Sequence, residues 1–142
     1  MILGVGIDIL AIRRIERLLQ RYPDRFAQRI LTHDEIDEWE KRGRRSSSFA
    51  KVFSIKEAVA KAVSKTEGAS WHDIETSHDV TGRPTASLSG TLLKNLGAGN
   101  HRVFVSVSDE KEYVVAYAII EVIDWGQNKS ISKNIWPENI AL

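Results

Sequence analysis

Glu57 and Lys61 have side chains and a spacing that could serve phosphate chemistry. They belong to the stretch Phe-Ser-Ile-Lys-Glu-Ala-Val-Ala-Lys, which begins at Phe53. The alanine-rich composition and the spacing of Ile55 and Val59 predict a helix, on which residues four apart share one face. A carboxylate and an ammonium on one rigid face could contact a metal ion and a phosphate.

The same residues also fit a purely structural interpretation. Ser54-x-x-Glu57 has the pattern of a capping box, and Glu57–Lys61 could be an ordinary surface pair, as found on most helices. The two interpretations depend on where the helix begins. If it begins near Ser48, because Phe49 already carries the apolar period, Ser54 lies inside the helix and cannot cap it.

A third candidate, Asp8, lies in the first predicted element, an apolar strand over residues 2–10. A carboxylate inside an apolar strand is costly unless it is paired or bound to a cation. Asp8 could therefore form a buried salt bridge, cap the next helix or bind a metal. Gly4 and Gly6 would let another backbone approach this strand closely.

An arginine-rich helix is predicted over residues 11–22. The apolar residues expected to form its buried stripe are Ile12, Ile15, Leu18, Leu19 and Tyr22. A second stripe at three- and four-residue spacing consists of Arg14, Arg17 and Arg21, and Arg25 extends it. This stripe could be a solvated face, or it could dock an acidic partner, since the guanidinium fork suits carboxylates and phosphates.

Composition limits the classes of protein that need to be considered. The chain has 142 residues, 42% of them hydrophobic and 27% charged, which is typical of one globular domain. A net charge of +1 disfavours a general nucleic-acid or membrane binder, and the absence of cysteine excludes disulfides and thiolate chemistry. The short apolar start resembles neither a membrane span nor a signal peptide, so we expect a cytoplasmic protein.

The remaining patterns predict a mixture of helices and strands. Thr32-x-x-Glu35 is a capping box for a helix over residues 33–42. Strands are predicted at residues 73–76, 85–88, 102–108 and 113–123, with a short helix between residues 90 and 99. We expect one domain over residues 1–123 and a polar tail over residues 124–142, in which Trp125 and Trp136 are isolated aromatics.

Several motifs occur in an order that is more specific than any one of them. They are Gly-Ile-Asp-Ile at residues 6–9, Arg-Ile-Leu-Thr-x-x-Glu at 29–35, Phe-x-x-Lys-Glu-Ala-x-x-Lys-Ala at 53–62, Trp-x-Asp-Ile-Glu at 71–75, Gly-x-Pro at 82–84 and Val-Ser-Val-Ser-Asp at 105–109. In this order the chain resembles the holo-[acyl-carrier-protein] synthases, the small group of 4′-phosphopantetheinyl transferases. The resemblance covers about residues 1–123.

The resemblance implies an α+β fold, with a small, mostly antiparallel sheet packed against helices. It implies a homotrimer with a shared active site at each subunit interface. Such enzymes transfer the phosphopantetheine arm of coenzyme A to a serine of acyl carrier protein, in fatty acid biosynthesis, and require magnesium. By motif match, Asp8 and Glu57 would bind Mg²⁺ and Lys61 would face the phosphates. Either Glu57 or a metal-bound water could accept the serine proton.

The sequence departs from the family pattern near the expected donor site. Val52 replaces a common arginine, Phe104 replaces a common histidine, and residues 64–67 replace a Gly-Thr-Gly turn. We expect Arg44, Arg45 and Ser106 to join Lys61 in binding coenzyme A. These departures keep open an alternative, a catalytically weakened relative that binds acyl carrier protein without modifying it.

Overall fold

The structure is a computed structural model that describes residues 1–123. The predicted tail, with Trp125 and Trp136, lies outside the described residues. The strands are β1 (Ile2–Ala11), β2 (Ile74–His78), β3 (Pro84–Leu88), β4 (Asn100–Asp109) and β5 (Tyr113–Ile123). The α-helices are α1 (Ile12–Arg21), α2 (Pro23–Ile30), α3 (His33–Lys41), α4 (Ser46–Val63) and α5 (Gly90–Asn95), and a 3₁₀ turn spans Trp71–Asp73.

The strands form two small antiparallel sheets. The larger sheet has the order β1-β5-β4, and the smaller one pairs β2 with β3. β1 passes directly into α1, and β5 returns beside β1, so that Asp8 lies opposite Ala116 in the register. Helices pack on one face of the larger sheet. The predicted α+β class is therefore confirmed.

Two glycines bring α4 against β1 at backbone distance. A β-carbon at Gly4 would overlap the carbonyl oxygen of Ala62, and one at Gly6 would overlap that of Ala58. Only glycine permits so close an approach, which confirms the prediction made for both positions. The contact places Asp8, two residues beyond Gly6, beside the second half of α4.

The core has two parts along α4. The first cluster is formed by residues of β1, α1, α2, α3, the start of α4 and β5: Leu10, Ile12, Ile15, Ala27, Ile30, Leu31, Trp39, Phe49, Ala50 and Val114. The second cluster joins the rest of α4 to β2, α5 and the sheet: Ile55, Ala58, Val59, Ala62, Val63, Ile74, Leu92, Ala116, Ala118 and Ile120. α4 is therefore the central element of the molecule.

The region after α1 differs from the predictions. No helix was predicted at α2, although Pro23 in its first turn and Asp24 are favourable helix-start residues.

The prediction that Leu18 and Tyr22 are buried is wrong, since they are 36% and 41% exposed. Leu18 lies about 120° around the helix axis from Ile12, outside the stripe that contacts α4.

The predicted capping box of α3 is confirmed. The Thr32 hydroxyl accepts a hydrogen bond from the backbone N–H of Glu35, and the Glu35 carboxylate accepts one from the backbone N–H of Thr32.

Within residues 1–123, none of the helices is sufficiently long and apolar to traverse a lipid bilayer.

Candidate active site

Asp8 lies where β1 faces α4, and both of its carboxylate oxygens have partners. Oδ1 accepts a hydrogen bond from Lys61 Nζ at 3.0 Å, and Oδ2 accepts one from Ser54 Oγ at 2.9 Å. Lys61 Nζ also donates to the backbone carbonyl of Ile7 at 3.0 Å. The Asp8 side chain is only 12% exposed, so these contacts fix its orientation. The structure thus brings Asp8 and Lys61 together, as the sequence predicts.

Ser54 does not cap a helix. α4 begins at Ser46, with Arg45 as its N-cap residue, so Ser54 lies inside the helix and is fully buried. The capping-box interpretation of Ser54-x-x-Glu57 is therefore wrong. Instead, the Ser54 hydroxyl reaches across to the Asp8 carboxylate.

Glu57 is half-buried, and its surroundings oppose its negative charge. Burial raises the pKa of Glu57 above the usual value, and the negative charge of Asp8 raises it further. The positive charges of Lys61 and Arg14 act in the opposite direction on this pKa. Although Glu57 and Lys61 are one helical turn apart, Lys61 forms its salt bridge with Asp8. The two carboxylates are thus close enough to repel each other.

A divalent cation would relieve this repulsion. Over residues 1–123, no three side chains of the types His, Cys, Asp and Glu are grouped so that they could hold a metal ion. A site with two carboxylates nevertheless fits Mg²⁺, which keeps several waters and usually binds through one or two carboxylates together with substrate phosphates. The chemistry of the Asp8–Glu57 pair therefore fits a magnesium ion.

A cavity of about 740 Å³ opens beside this cluster. Its charged side chains are Arg29, Glu57 and Lys61, and its apolar lining includes Trp71, Ile74 and Leu92. One part of the cavity could therefore bind an anion while another encloses an uncharged chain. Arg29, the first residue of the motif at residues 29–35, contributes its side chain to this lining although no chemical role was predicted for it.

The loop that replaces the expected Gly-Thr-Gly turn forms part of the cavity wall through Ser64 and Thr66. Ser64 ends α4 with φ of +64°, a conformation that favours glycine. The Asn95 side-chain amide donates to the carbonyls of Lys65 and Glu67 at 2.9 and 3.3 Å. Asn95 therefore fixes this loop from α5, and no local signal in the sequence indicates that role.

Arg44 and Arg45 lie at the opposite end of α4 from Lys61. The helix rise puts about 24 Å between the levels of Arg45 and Lys61 along the helix axis. Arg44 donates to Asp24 at 2.8 Å and stacks over the Trp39 ring at 4.8 Å. Within one chain, these arginines are therefore not part of the cavity.

Ser106 and Phe104 project from the exposed face of β4. In the register, Phe104 pairs with Ile119 and Ser106 with Tyr117, and on the far side of β5 Ile119 also pairs with Val5. This face is largely apolar although it is uncovered in the single chain. Its exposed residues include Val5, Ile7, Ile9, Phe104 and Tyr117, which are 42–66% exposed.

The arginine stripe lies as predicted on the side of α1 away from the core. Arg14, Arg17 and Arg21 are all exposed, and Arg25 is exposed on α2. Among the arginines of the stripe, Arg14 lies near enough to Glu57 for its positive charge to lower the pKa of that carboxyl group. The stripe therefore begins beside the Asp8–Glu57 cluster.

Comparison with known proteins gives the same family throughout. A protein-family model described as the 4′-phosphopantetheinyl transferase superfamily matches residues 4–118. The holo-[acyl-carrier-protein] synthase of Halorhodospira halophila is 39% identical over 123 residues, covering 84% of this chain and 98% of that protein.

Solved structures of such synthases superpose well on the chain. The crystal structure from Neisseria meningitidis has a TM-score of 0.72 at 37% identity, covering 85% of this chain and 99% of the other. The structure from Bacillus anthracis, in complex with CoA (3′,5′-ADP), has a TM-score of 0.71 at 35% identity, covering 87% and 99%. The chain therefore belongs to the 4′-phosphopantetheinyl transferase superfamily and, within it, to the holo-[acyl-carrier-protein] synthases.

Proposed function

We propose that this chain is a magnesium-dependent holo-[acyl-carrier-protein] synthase. It transfers the 4′-phosphopantetheine arm of coenzyme A to a serine of apo acyl carrier protein and releases adenosine 3′,5′-bisphosphate, in support of fatty acid biosynthesis. The observation that carries the proposal is the Asp8–Glu57–Lys61 cluster at the cavity. The names of the relatives and the coenzyme A complex of the Bacillus anthracis protein support it.

In the proposed mechanism, Asp8 and Glu57 would hold the metal ion. A bound Mg²⁺ would neutralise the negative charge that develops on the pyrophosphate oxygens. Ser54 and Lys61 orient Asp8 through their hydrogen bonds, so its carboxylate is preorganised for this role. The exposed part of Lys61 is available to the phosphates, and Arg29 from the cavity wall adds a second positive charge.

Glu57 also suits the deprotonation of the incoming serine. Its carboxylate lines the cavity, where an incoming serine could approach it. The sequence left Glu57 and a metal-bound water as alternative bases, and both fit this site. With either base, catalysis depends mainly on positioning the reacting groups and stabilising their charge, since the protein takes little covalent part in phosphoryl transfer.

The proposed assembly is a homotrimer with shared active sites. The apolar face that includes Val5, Ile9 and Phe104 is uncovered in the single chain, and exposed apolar patches of this kind mark interaction sites. A second copy of the chain would bury it. A shared site would also let Arg44, Arg45 and Ser106 reach coenzyme A bound at a neighbouring chain's Lys61, which they cannot do within one chain.

The acidic carrier protein is proposed to dock on Arg14, Arg17, Arg21 and Arg25. All four are exposed, and the stripe leads to the Asp8–Glu57 cluster. The alternative of a weakened relative is not favoured, because the three residues assigned to the chemistry are present and assembled. The domain limits of residues 1–123 and a cytoplasmic location stay predictions of the sequence.

The test is a transfer assay with coenzyme A, magnesium and apo acyl carrier protein, read as the mass gain of the carrier. We expect transfer by the wild type. Asp8→Ala and Glu57→Ala should each lower kcat/KM by about a hundredfold or more, since each removes a carboxylate that would hold the metal ion at the pyrophosphate. Asp37→Ala, on the exposed face of α3, is the matched control and should retain full activity.

Circular dichroism would establish that the variants are folded. Near-normal turnover of either the Asp8 or the Glu57 variant at saturating magnesium would contradict the assignment of the metal site. Carrier binding without any mass gain by the wild type would instead support the weakened-relative alternative.

A further inference from the structure

We infer that Lys56, together with its buried partner Glu35, is a positioning residue for the transfer reaction. Lys56 immediately precedes Glu57 on α4, but its side chain projects about 100° away around the helix axis, into the protein. It lines no part of the cavity and cannot touch a substrate. The inference rests on the proposed function, and it concerns what holds the site in place rather than what reacts.

The Lys56 ammonium is completely buried and uses all three of its donors. Nζ forms a salt bridge with Glu35 Oε2 at 2.6 Å, and both side chains are at most 3% exposed. It donates to the carbonyl of Ile30 at 2.8 Å and to that of Trp71 at 3.2 Å. An ammonium has three donors and no acceptor, so no further polar contact is open to it.

Glu35 is equally well satisfied. Besides Lys56, its Oε2 accepts from the backbone N–H of Thr32 at 2.9 Å. Its Oε1 accepts from both the backbone N–H and the hydroxyl of Thr76, at 2.7 and 2.8 Å. The carboxylate therefore joins the start of α3 and strand β2 to the ammonium on α4.

The two backbone carbonyls that Lys56 binds belong to elements that form the cavity. Trp71 is part of the cavity wall, and Ile30 follows Arg29, whose side chain lines the cavity. Because Lys56 and Glu57 are adjacent on one rigid helix, fixing the rotation of α4 at Lys56 also fixes the direction in which Glu57 projects. The ammonium is thus the point at which α4, the end of α2 and the 3₁₀ turn are joined.

Stability alone is a weak explanation for this arrangement. Burying an ion pair carries a large desolvation cost, and buried pairs replaced by apolar residues of similar volume are often as stable or more so. Desolvation acts against the charge of Lys56, whose pKa is lowered by burial despite the proximity of Glu35. An apolar residue could fill the same volume, but it could not donate hydrogen bonds to the carbonyls of Ile30 and Trp71. These bonds fix the positions of both backbone segments relative to α4.

The test compares Lys56→Met with the wild type in steady-state transfer, at a temperature well below the Tm of both. Loss of position should lower kcat/KM for coenzyme A by about tenfold to a hundredfold, since small misplacements of reacting groups have effects of this size. The KM for acyl carrier protein should hardly change, because the arginine stripe is on α1. Glu35→Gln, which keeps an acceptor for Thr76, should give a smaller loss of the same type.

Phe49→Leu is the matched control for lost stability. Phe49 is fully buried in the first cluster, seven residues before Lys56 on α4, and makes no contribution to the cavity lining. It should lower the Tm without changing kcat/KM of the folded protein. If Lys56→Met and Glu35→Gln lower the Tm but retain wild-type kcat/KM, as the control does, the pair has only a structural role and the inference is wrong.

Hydrogen exchange separates this outcome from failure of the proposed function. Exchange of the backbone amides at residues 69–71 should be faster in the Lys56 variant than in the wild type, and unchanged in Phe49→Leu. If Lys56→Met does not fold, Glu35→Gln is tested in the same two ways. A wild type that transfers nothing would refute the proposed function, while unchanged exchange at residues 69–71 in both pair variants would overturn the inference.

Discussion

At the scale of single residues, the charge of Glu57 destabilises the protein when no cation is bound. Burial and the neighbouring Asp8 raise the pKa of Glu57, so the folded state binds a proton more tightly there than the unfolded chain does. This contribution to stability is complete below the ordinary pKa of glutamate and is lost as the pH rises through the raised value. Above that value, ionised Glu57 is a cost to the metal-free fold.

We therefore predict that Glu57→Gln raises the Tm of the metal-free protein at pH 8 but leaves it unchanged near pH 4. Because the side chain is only half-buried, solvent screens the effect, and we expect a rise on the order of 1–2 °C. Thermal unfolding in the presence of a chelator measures it. A lower Tm for the variant at pH 8 would show that ionised Glu57 forms a stabilising contact instead.

The carboxylates of Asp8 and Glu35 differ in how readily the sequence reveals their roles. Asp8 is conspicuous, since a charge in an apolar strand requires a partner, and Glu57 and Lys61 share a helical face. Glu35 was predicted only as a capping residue, because its partner Lys56 lies 21 positions further along the chain. A local pattern identifies a cap but cannot indicate an ion pair that forms only when α3 packs on α4.

At the scale of elements, α1 presents opposite faces to the core and to solvent. Ile12 and Ile15 are buried, whereas the arginine stripe of Arg14, Arg17 and Arg21 is exposed. Separation of this kind lets the stripe be changed with little effect on packing. Charges at such a surface mainly accelerate encounter with an oppositely charged partner, and salt screens them.

We predict that Arg21→Glu lowers kcat/KM for acyl carrier protein by about tenfold at low salt, since steering by surface charge has effects of at least this size. The KM for coenzyme A and the Tm should barely change. Arg14 is less suitable for this test because its charge also acts on Glu57. Arg83→Glu, in the turn between β2 and β3, makes the same charge change away from the stripe and should have little effect.

A titration with salt completes the test, because raising the ionic strength should reduce the difference between wild type and Arg21→Glu. Equal rates for the two proteins at low salt would mean that the stripe is an ordinary solvated face. In that case, the docking surface lies elsewhere on the molecule.

The elements themselves were largely predictable, and their boundaries follow local chemistry. The alternation of residues predicts β4 with Val103 and Val105 on one face and Phe104 on the other, and the structure shows that the valines face inward. α2 was not predicted, because it is only eight residues long and its start is marked only by Pro23 and Asp24. The position of Asn95 over the 64–67 loop depends on how α5 packs, which no spacing in the sequence specifies.

At the scale of the whole molecule, the uncovered side of the larger sheet is the main feature that a single chain leaves unexplained. Val5, Ile119 and Phe104 form one row across its three strands. Burying such side chains stabilises by roughly 1.5–3 kcal/mol each. The proposed trimer would bury this row once in every subunit.

We predict that Val5→Glu gives a monomer with a native-like fold in place of the proposed trimer and abolishes transfer, because it would place three charges in the proposed interface. Light scattering coupled to size exclusion measures the mass, and circular dichroism measures the fold. Val80→Glu, at a fully exposed position in the β2–β3 turn, introduces the same charge and should remain a trimer. A Val5→Glu protein that is still trimeric would place the interface on another face.

The contact between β1 and α4 also bears on how this enzyme could be engineered. Asp8 and Glu57 belong to two elements whose backbones touch at Gly4 and Gly6 with no side chain between them. The distance between the backbones that carry the two carboxylates is therefore set by this direct contact. A search for heat-resistant variants should accordingly hold codons 4 and 6 constant, because a side chain at either position would force β1 away from α4 and change the spacing of Asp8 and Glu57.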